Sequence, residues 1–236
     1  MSCGASTGRI RITVNRISEA LGFQAELMVT RRALMLTIAD DPHNGSEHLF
    51  SRIKRTSPHG VNFRIVSGIS HLSWNVADNN WDIDQIEEEL ERLQSLPHYP
   101  RLLVLTLVSL AGSSFCYLFG GGYIEMMVTF TASFIGLFVR QETMKRKYNP
   151  YICVYLAALT ASLISGLSEY YGIGEHPAKA FATSVLFLVP GIPLINSFTD
   201  LIDGNILNGT VRGINGFLIA FAIALGLLTV KIIFQF

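Results

Sequence analysis

Residues 213–232 read GINGFLIAFAIALGLLTVKI, an apolar run in which Lys231 is the one charged residue. A helix needs about 20 such residues to cross the hydrocarbon core of a bilayer. The segment has to be helical there, because lipid offers no hydrogen-bond partner to a free backbone amide. The run therefore predicts a membrane-spanning helix.

Four further apolar runs precede this one, each close to the length of a membrane span. They cover residues 102–119, 123–139, 151–168 and 178–197. We therefore predict a membrane protein with an α-helical bundle of about five transmembrane helices over residues 102–236. The chain is 50% hydrophobic and 15% charged, whereas an average soluble domain is about 25% charged, so a wholly soluble protein is excluded.

The charged residues are concentrated at the other end of the chain. Residues 1–101 hold 23 of them, and the remaining 135 residues hold 13. We predict a cytoplasmic domain over residues 1–101, joined to the membrane domain. The net charge of zero gives no support to a nucleic-acid partner that binds through positive charge.

Lysine and arginine alternate between the two sides of the predicted spans. The N-terminal domain has eleven of them, and the loops 120–122 and 169–177 have none. The remaining inner loops carry Arg140, Lys145, Arg146, Lys147 and Arg212. The positive-inside rule then predicts a cytoplasmic N-terminus and a C-terminus outside the cell. No signal peptide is visible in the first 20 residues, which agrees with that orientation.

The N-terminal domain has the hydrophobic periodicity of a small α+β fold. Ile10, Val14, Ile17 and Leu21 share helical spacing, and Gly22 is a stop signal. Residues 23–30, 33–39 and 48–54 predict strands, with a turn at Arg31-Arg32 and a loop at 40–45. Residues 62–77 and 83–96 predict helices, the second with Asp82 as its N-cap. The predicted order is α-β-β-β-α-α.

The fourth predicted span contains Pro190, Gly191 and Pro193. Each proline removes a backbone donor and crowds the preceding turn, so an unbroken helix is excluded. Irregular backbone at membrane depth is tolerated where it is buried in protein or lines a watery cavity, and broken helices often form the substrate and ion sites of transporters. A simple packing kink is the alternative.

Polar residues on the inner side of this break are the candidate pathway residues. Asn196, Asp200 and Asp203 have spacings that place them near one helical face. Carboxylates near a membrane break are candidate proton or cation sites, or partners of an arginine such as Arg212 or Arg140. The alternative is that Asp200 and Asp203 are hydrated in a cytoplasmic loop.

Enzyme chemistry has little support in this sequence. The chain has no P-loop, GxGxxG or GxSxG motif, and neither its six histidines nor Cys3, Cys116 and Cys153 have metal-ligand spacing. We therefore predict no enzyme activity, no catalytic residue, no metal and no organic cofactor. A membrane-tethered enzyme or sensor that acts through residues 1–101 and a scaffold without transport activity are kept as alternatives.

The segment LVPGIPLIN at 188–196, followed by Asp200, Gly204, Gly209 and Arg212, resembles the threonine/serine exporter family of bacterial inner-membrane proteins. Further pieces of the sequence resemble the same family. They are Gly4-Ala5-Ser6-Thr7 with Arg9, Pro58-His59-Gly60-Val61-Asn62, Tyr99-Pro100 and Arg140-Gln141. His59 stands where the family has arginine, and the family has more helix before Gly4, so we expect an internal start or a trimmed N-terminus.

The resemblance covers essentially the whole chain and is strongest to the short form of the family. That form implies a secondary exporter that needs a second small membrane subunit, and it is associated with succinate, whereas the long form is associated with threonine and serine. The expected substrate is a small polar metabolite from either class, the expected driving force is the proton gradient, and a homo-oligomer is left open. For this exporter hypothesis we predict that Pro190, Gly191 and Pro193 open the helix and that Asn196 and backbone groups at the break contact substrate. We predict that Asp200 carries a coupling proton or pairs with Arg140 or Arg212.

Overall fold

The computed structural model describes residues 4–30, 33–39, 49–55, 62–79, 81–97 and 99–235. Its internal contacts divide the chain into two compact units. Unit 1 takes in residues 1–97 and 192–214, and unit 2 takes in residues 98–191 and 215–236. Unit 1 therefore combines the N-terminal part of the sequence with the internal segment 192–214, although the hydropathy pattern predicts a single boundary near residue 101.

Unit 1 begins with a small α+β fold in the predicted order. Its elements are α1 (Thr7–Ala20), β1 (Gln24–Val29), β2 (Ala33–Ala39), β3 (Leu49–Arg55), α2 (Phe63–Asn79) and α3 (Ile83–Gln94). In the described residues the strands form one antiparallel sheet in the order β1-β2-β3, with Met28 opposite Met35 and Met35 opposite Ile53. The predicted turn at Arg31-Arg32 and loop at 40–45 lie outside the described residues.

Local signals in the sequence explain these helices. The side chain of Asp82 accepts a hydrogen bond from the backbone amide of Gln85 at 2.9 Å, and Oε1 of Gln85 accepts one from the backbone amide of Asp82 at 3.2 Å. This capping box satisfies two amides that the first turn of α3 leaves free, and it confirms Asp82 as the N-cap. The apolar stripes of α2 and α3 meet in a core that contains Leu72, Val76 and Ile86.

Unit 2 is helical, as the apolar runs predict. Its elements are α4 (Arg101–Leu118), α5 (Tyr123–Lys145), α6 (Pro150–Tyr170), α7 (Pro177–Thr183), a 3₁₀ turn (Leu186–Leu188) and the greater part of α9 (Ile206–Phe234). Small residues form its core, including Ala132, Ala157, Ala158 and Ala161. Small side chains let helix backbones approach closely, which stabilises helix packing in lipid.

Four helices of the described chain are long and apolar enough to cross a membrane, namely α4, α5, α6 and α9. A fifth crossing is possible in the pair formed by Pro177–Leu188 and α8 (Gly191–Ile202), which is bent by 60° at a short break. The predicted fold class is confirmed: a helical membrane protein with four or five candidate spans and a small N-terminal sheet.

Gly226 shows how closely two spans of unit 2 approach. A Cβ atom at this position in α9 would lie 2.7 Å from the Cβ of Ala158 and 2.9 Å from the backbone nitrogen of Leu159. We expect Gly226→Val to destabilise the protein by about 1–3 kcal/mol through overpacking, measured as a lower thermal unfolding temperature in detergent. Gly191→Val is the matched control, since an added Cβ there meets no described atom within 4 Å apart from its chain neighbours and its own helix backbone; equal stability of the two variants would contradict the prediction.

Candidate functional site

The proline-rich segment 188–196 breaks the chain where the sequence predicts, but the two prolines act differently. Pro190 lies between the 3₁₀ turn that ends at Leu188 and the start of α8 at Gly191. Pro193 lies in the first turn of α8, where a missing amide costs nothing because the first turn has no intrahelical acceptor for it. Pro190 is therefore the break itself, and Pro193 is compatible with the helix that follows.

Asp200 lies on α8 and is fully buried, with 0% of its surface exposed. Its Oδ1 accepts a hydrogen bond from the backbone amide of Thr7 at 2.9 Å, and its Oδ2 accepts one from the Thr7 hydroxyl at 3.1 Å. The Nε of Arg212 lies 3.2 Å from the same Oδ2. The carboxylate thus has three donors, which together meet the cost of burying a charge.

Thr7 is the first residue of α1, so its amide is one of the unpaired donors at a helix N-terminus. The partial positive charge of that terminus favours a carboxylate beside it. Asp200 therefore holds α1 by the helix dipole as well as by its hydrogen bonds. The sequence did not indicate this role for Thr7, because 193 residues separate it from Asp200.

Arg212 differs from its predicted placement. The charge pattern assigns it to an inner loop, but α9 begins at Ile206, and Arg212 therefore lies inside the helix. The connection from α8 to α9 is only residues 203–205. Besides Asp200, Arg212 contacts the carbonyl oxygen of Ala5 through Nη2 at 3.1 Å.

Asn196 and Asp203 face the same N-terminal segment as Asp200. The Nδ2 of Asn196 donates to the carbonyl of Gly4 at 2.8 Å. A Cβ atom at Gly8 would lie 2.9 Å from Oδ2 of Asp203, and Asp203 is exposed. We call the set Asn196, Asp200, Arg212 and Thr7 the N-terminal clamp, because each of these residues fixes the start of the chain to α8 or α9.

Two further contacts of unit 1 join α8, α9 and the sheet. Ser197 donates its hydroxyl to the carbonyl of Gly209 at 2.7 Å, which ties the two helices together. Asn208 donates through Nδ2 to the carbonyl of Val29 at 2.8 Å and lies 3.4 Å from the Thr7 hydroxyl. Sequence reasoning missed Ser197 and Asn208, since neither has a charge or a spacing that distinguishes it.

Glycines 209 and 213 allow this close approach of α8 and α9. A Cβ at Gly209 would lie 3.0 Å from the backbone nitrogen of Leu201 and 2.7 Å from its side chain, and one at Gly213 would lie 2.9 Å from the Ser197 hydroxyl. Gly204 has a φ of +79° in the connection between the helices, a conformation that favours glycine. Gly209 and Gly213 therefore leave no room for a side chain, and Gly204 has a backbone conformation that other residues rarely adopt.

Arg140 lies near the end of α5, within unit 2. Its Nε is buried and has no hydrogen-bond partner in the described part of the chain. A buried guanidinium donor without an acceptor costs free energy.

Several sequence features cannot be placed. The resemblance at 58–61 and Cys3 lie outside the described residues, as do His43, His48, His59 and His98. Within the residues that the structure does describe, no group of three or more histidine, cysteine, aspartate or glutamate side chains is arranged to hold a metal ion.

The sequence model of a family described as "Putative threonine/serine exporter" matches residues 1–234. The chain belongs to the threonine/serine exporter family. The match includes both the N-terminal segment of the clamp and the segment 188–212, which the structure brings together. The chain is therefore a transporter rather than an enzyme, and the alternative of a tethered enzyme is set aside.

Comparison with curated proteins gives relatives in the same family. The chain is 32% identical over 94% of its length, and 85% of the relative's, to the "Probable succinate transporter subunit YjjP" of Klebsiella aerogenes. It is 31% identical over 94% of its length, and 86% of the relative's, to the protein of that name in Escherichia coli. It is 22% identical to the "Threonine/serine exporter" of Corynebacterium glutamicum over 64% of this chain and 32% of that protein. No solved structure matches the chain.

Proposed function

We propose that this chain is one subunit of an inner-membrane exporter for succinate or a closely related C4-dicarboxylate. The observation that carries the proposal is the 31–32% identity over 94% of the chain to two proteins named as succinate transporter subunits. The relative named for threonine and serine aligns with a smaller part of the chain and at lower identity. Threonine and serine are therefore the substrates to be compared with succinate in the first experiment.

The same two names support a second membrane subunit, because each describes its protein as a subunit. The described residues supply at most five spans. An inverted repeat of two equal halves, which forms the substrate site of many secondary transporters, needs an even number of spans. We propose that a second small membrane protein supplies the remaining helices.

Arg140 is the proposed contact for a substrate carboxylate. Guanidinium groups bind carboxylates with charge-assisted hydrogen bonds, often through two parallel donors. The Nε of Arg140 is buried and free of any described acceptor, whereas Arg212 already has Asp200 and Ala5 as partners. Of these two candidate arginines, Arg140 is thus the one with capacity for an incoming anion.

The N-terminal clamp is the proposed coupling element. Protonation of Asp200 would remove the charge that holds Arg212 and the amide of Thr7. The start of the chain would then be released from α8, and the polar groups beside the break would become available. This proposal gives Asn196 a positioning role through Gly4, in place of the direct substrate contact that the resemblance implies, and uses the proton gradient as driving force.

The proposed orientation places the N-terminus in the cytoplasm and the C-terminus outside. It is supported by Lys145, which ends the apolar helix α5, and by Arg146 and Lys147, which follow it on the side assigned to the cytoplasm. Cysteine substitutions at Lys147 and at Glu175 test it with a membrane-impermeant thiol reagent in intact cells. We expect labelling at position 175 and protection at position 147 until the cells are broken; the reverse pattern would overturn the orientation.

The first functional experiment is efflux from bacterial cells preloaded with labelled succinate, threonine or serine. The chain is expressed alone, with its small membrane partner, and as the partner alone, with both chains quantified in the membrane fraction. We expect succinate efflux only when both chains are present. Efflux of threonine or serine in place of succinate would overturn the substrate, and full efflux by this chain alone would overturn the second subunit.

A further inference from the structure

Strand β3 carries exposed apolar side chains together with positive charge. All of residues 50–55 are exposed, Phe50 over 62% of its surface and Ile53 over 67%. β3 lies at one edge of the described sheet, where it pairs with β2 alone. Three of its seven residues are basic and none is acidic. The strand is therefore a candidate interaction surface of unit 1.

The register of the sheet shows which side chains of β3 share a face. Alternate residues of a strand point to the same side, so Phe50, Arg52 and Lys54 lie together. The same face continues across the other two strands with six aliphatic residues, namely Leu34, Leu36, Ile38, Ala25, Leu27 and Val29. Within the three described strands, this face has no acidic residue. We call Phe50, Arg52 and Lys54 the β3 shelf.

The helices of unit 1 cover this face at β1 but leave it open at β3. In β1 the residues of this face are half-buried or buried, those of the opposite face are exposed, and α1 packs against the strand. At the other edge, all three residues of the β3 shelf are exposed. The ion pairs of the described chain do not include Arg52 or Lys54. Both positive charges of the shelf are therefore open to an anionic partner.

The opposite charge lies at the other end of the packing order of unit 1. Successive contacts lead from β3 to β2, β1, α1, α2 and finally α3. Helix α3 presents four exposed acidic side chains, which are Asp84, Glu87, Glu88 and Glu91. A negatively charged surface would attract the β3 end and repel the α3 end. Such a surface would therefore bind unit 1 in one orientation.

A bilayer that contains anionic phospholipid is a surface of this chemistry. Each lysine or arginine near such a bilayer adds to the attraction, which decays within a Debye length. Exposed aromatic and aliphatic side chains add apolar contacts at the boundary of headgroups and acyl chains. The chain is also anchored in a membrane, because α9 continues from unit 1 into unit 2 and is apolar enough to span a bilayer.

We propose that the β3 shelf binds anionic phospholipid of the membrane that holds the chain. Arg52 and Lys54 contact the lipid phosphates, and Phe50 inserts at the start of the acyl chains. Charge on an edge strand can also prevent its pairing with other strands. That protective role is met by either sign of charge and needs no exposed phenylalanine, whereas lipid binding needs both features. The inference does not rest on the exported substrate.

The test uses the full chain in lipid nanodiscs, with one chain per disc and a single tryptophan on the β3 shelf. Trp74 and Trp81, the two tryptophans of the sequence, are replaced by phenylalanine, and Phe50→Trp supplies the reporter. The discs contain phosphatidylcholine with brominated acyl chains, alone or mixed with an equal part of phosphatidylglycerol. Bromine quenches tryptophan on contact. We expect quenching and a blue shift in the anionic discs only, both lost in 1 M salt, where the Debye length is about 3 Å.

Matched variants locate the contact. Met28→Trp is the control reporter, because Met28 is exposed on the opposite face of the sheet, and it should stay unquenched in both kinds of disc. Arg52→Gln and Lys54→Gln should each lower the ratio of docked to free shelf about fivefold, and together about 25-fold. Arg9→Gln removes an exposed charge of α1 instead and should leave the ratio unchanged. Thermal unfolding in detergent verifies that every variant is folded.

Three results would overturn the proposal. Equal quenching of Phe50→Trp in neutral and anionic discs would show an apolar contact that does not use the charges. A blue shift without bromine quenching that appears only with two chains per disc would assign the shelf to the acidic helix α3 of a second copy. An unchanged emission spectrum in anionic discs would leave the charges of β3 as protection of the sheet edge.

Discussion

Replacing Asp200 with asparagine is expected to reduce export to background while the chain still inserts in the membrane. The substitution removes the negative charge beside Arg212, whose side chain is only 15% exposed. A buried charge that loses its partner costs about 3–5 kcal/mol, so the N-terminal clamp should open. Insertion depends on the apolar helices α4, α5, α6 and α9, which Asp200→Asn leaves unchanged.

The measurement is efflux of the preloaded substrate, with membrane content determined by immunoblot and stability by thermal unfolding in detergent. Asp203→Asn is the matched control, because Asp203 is exposed in the connection that follows α8 and does not belong to the N-terminal clamp. The double variant Asp200→Asn with Arg212→Gln removes both charges and should recover part of the lost stability without recovering export. Full export by Asp200→Asn would contradict the coupling role.

Replacing Arg140 with glutamine should also abolish export, but without the loss of stability expected for Asp200→Asn. Its Nε has no acceptor in the described chain, so no hydrogen bond to that atom is lost when the guanidinium is removed. A substrate carboxylate would lose a charge-assisted contact. We therefore expect wild-type thermal stability together with background efflux of succinate.

Two further variants distinguish a substrate contact of Arg140 from a purely structural role. Arg140→Lys keeps the charge but removes the fork of donors, and should retain partial export with weaker apparent affinity for succinate. Arg146→Gln removes an exposed charge six residues further along the chain and should export normally. Normal export by Arg140→Gln would remove Arg140 from the substrate pathway, whereas a large loss of stability would indicate a structural role.

Local patterns in the sequence were sufficient to predict most of the secondary structure. The alternation in residues 23–30 and the stop at Gly22 mark the ends of α1 and β1, and Asp82 caps α3 as expected. The apolar runs likewise identify the membrane helices, because hydropathy and length are properties of short segments. Each of these predictions depends on residues that are neighbours in the chain.

The candidate site was only partly predictable, for a physical reason. Spacing places Asn196, Asp200 and Asp203 together, since four and three residues are helical intervals. Spacing carries no information on Thr7, which reaches Asp200 across 193 residues. The positive charge of Arg212 predicts a loop at this residue, but Arg212 lies inside α9. Its buried ion pair with Asp200 allows a charged residue at that position in the helix.

The split composition of unit 1 has a consequence for how the protein is made. Thr7 leaves the ribosome long before Asp200, and at about 5–20 residues per second the delay is about 10–40 s. During that interval the amide of Thr7 lacks its acceptor on Asp200. The carbonyl of Val29 in β1 likewise lacks the Asn208 side chain that donates to it. The nascent chain must therefore keep an unfinished N-terminal domain soluble while its earlier apolar helices are made, and unit 1 is completed only after residues 192–214 have been synthesised.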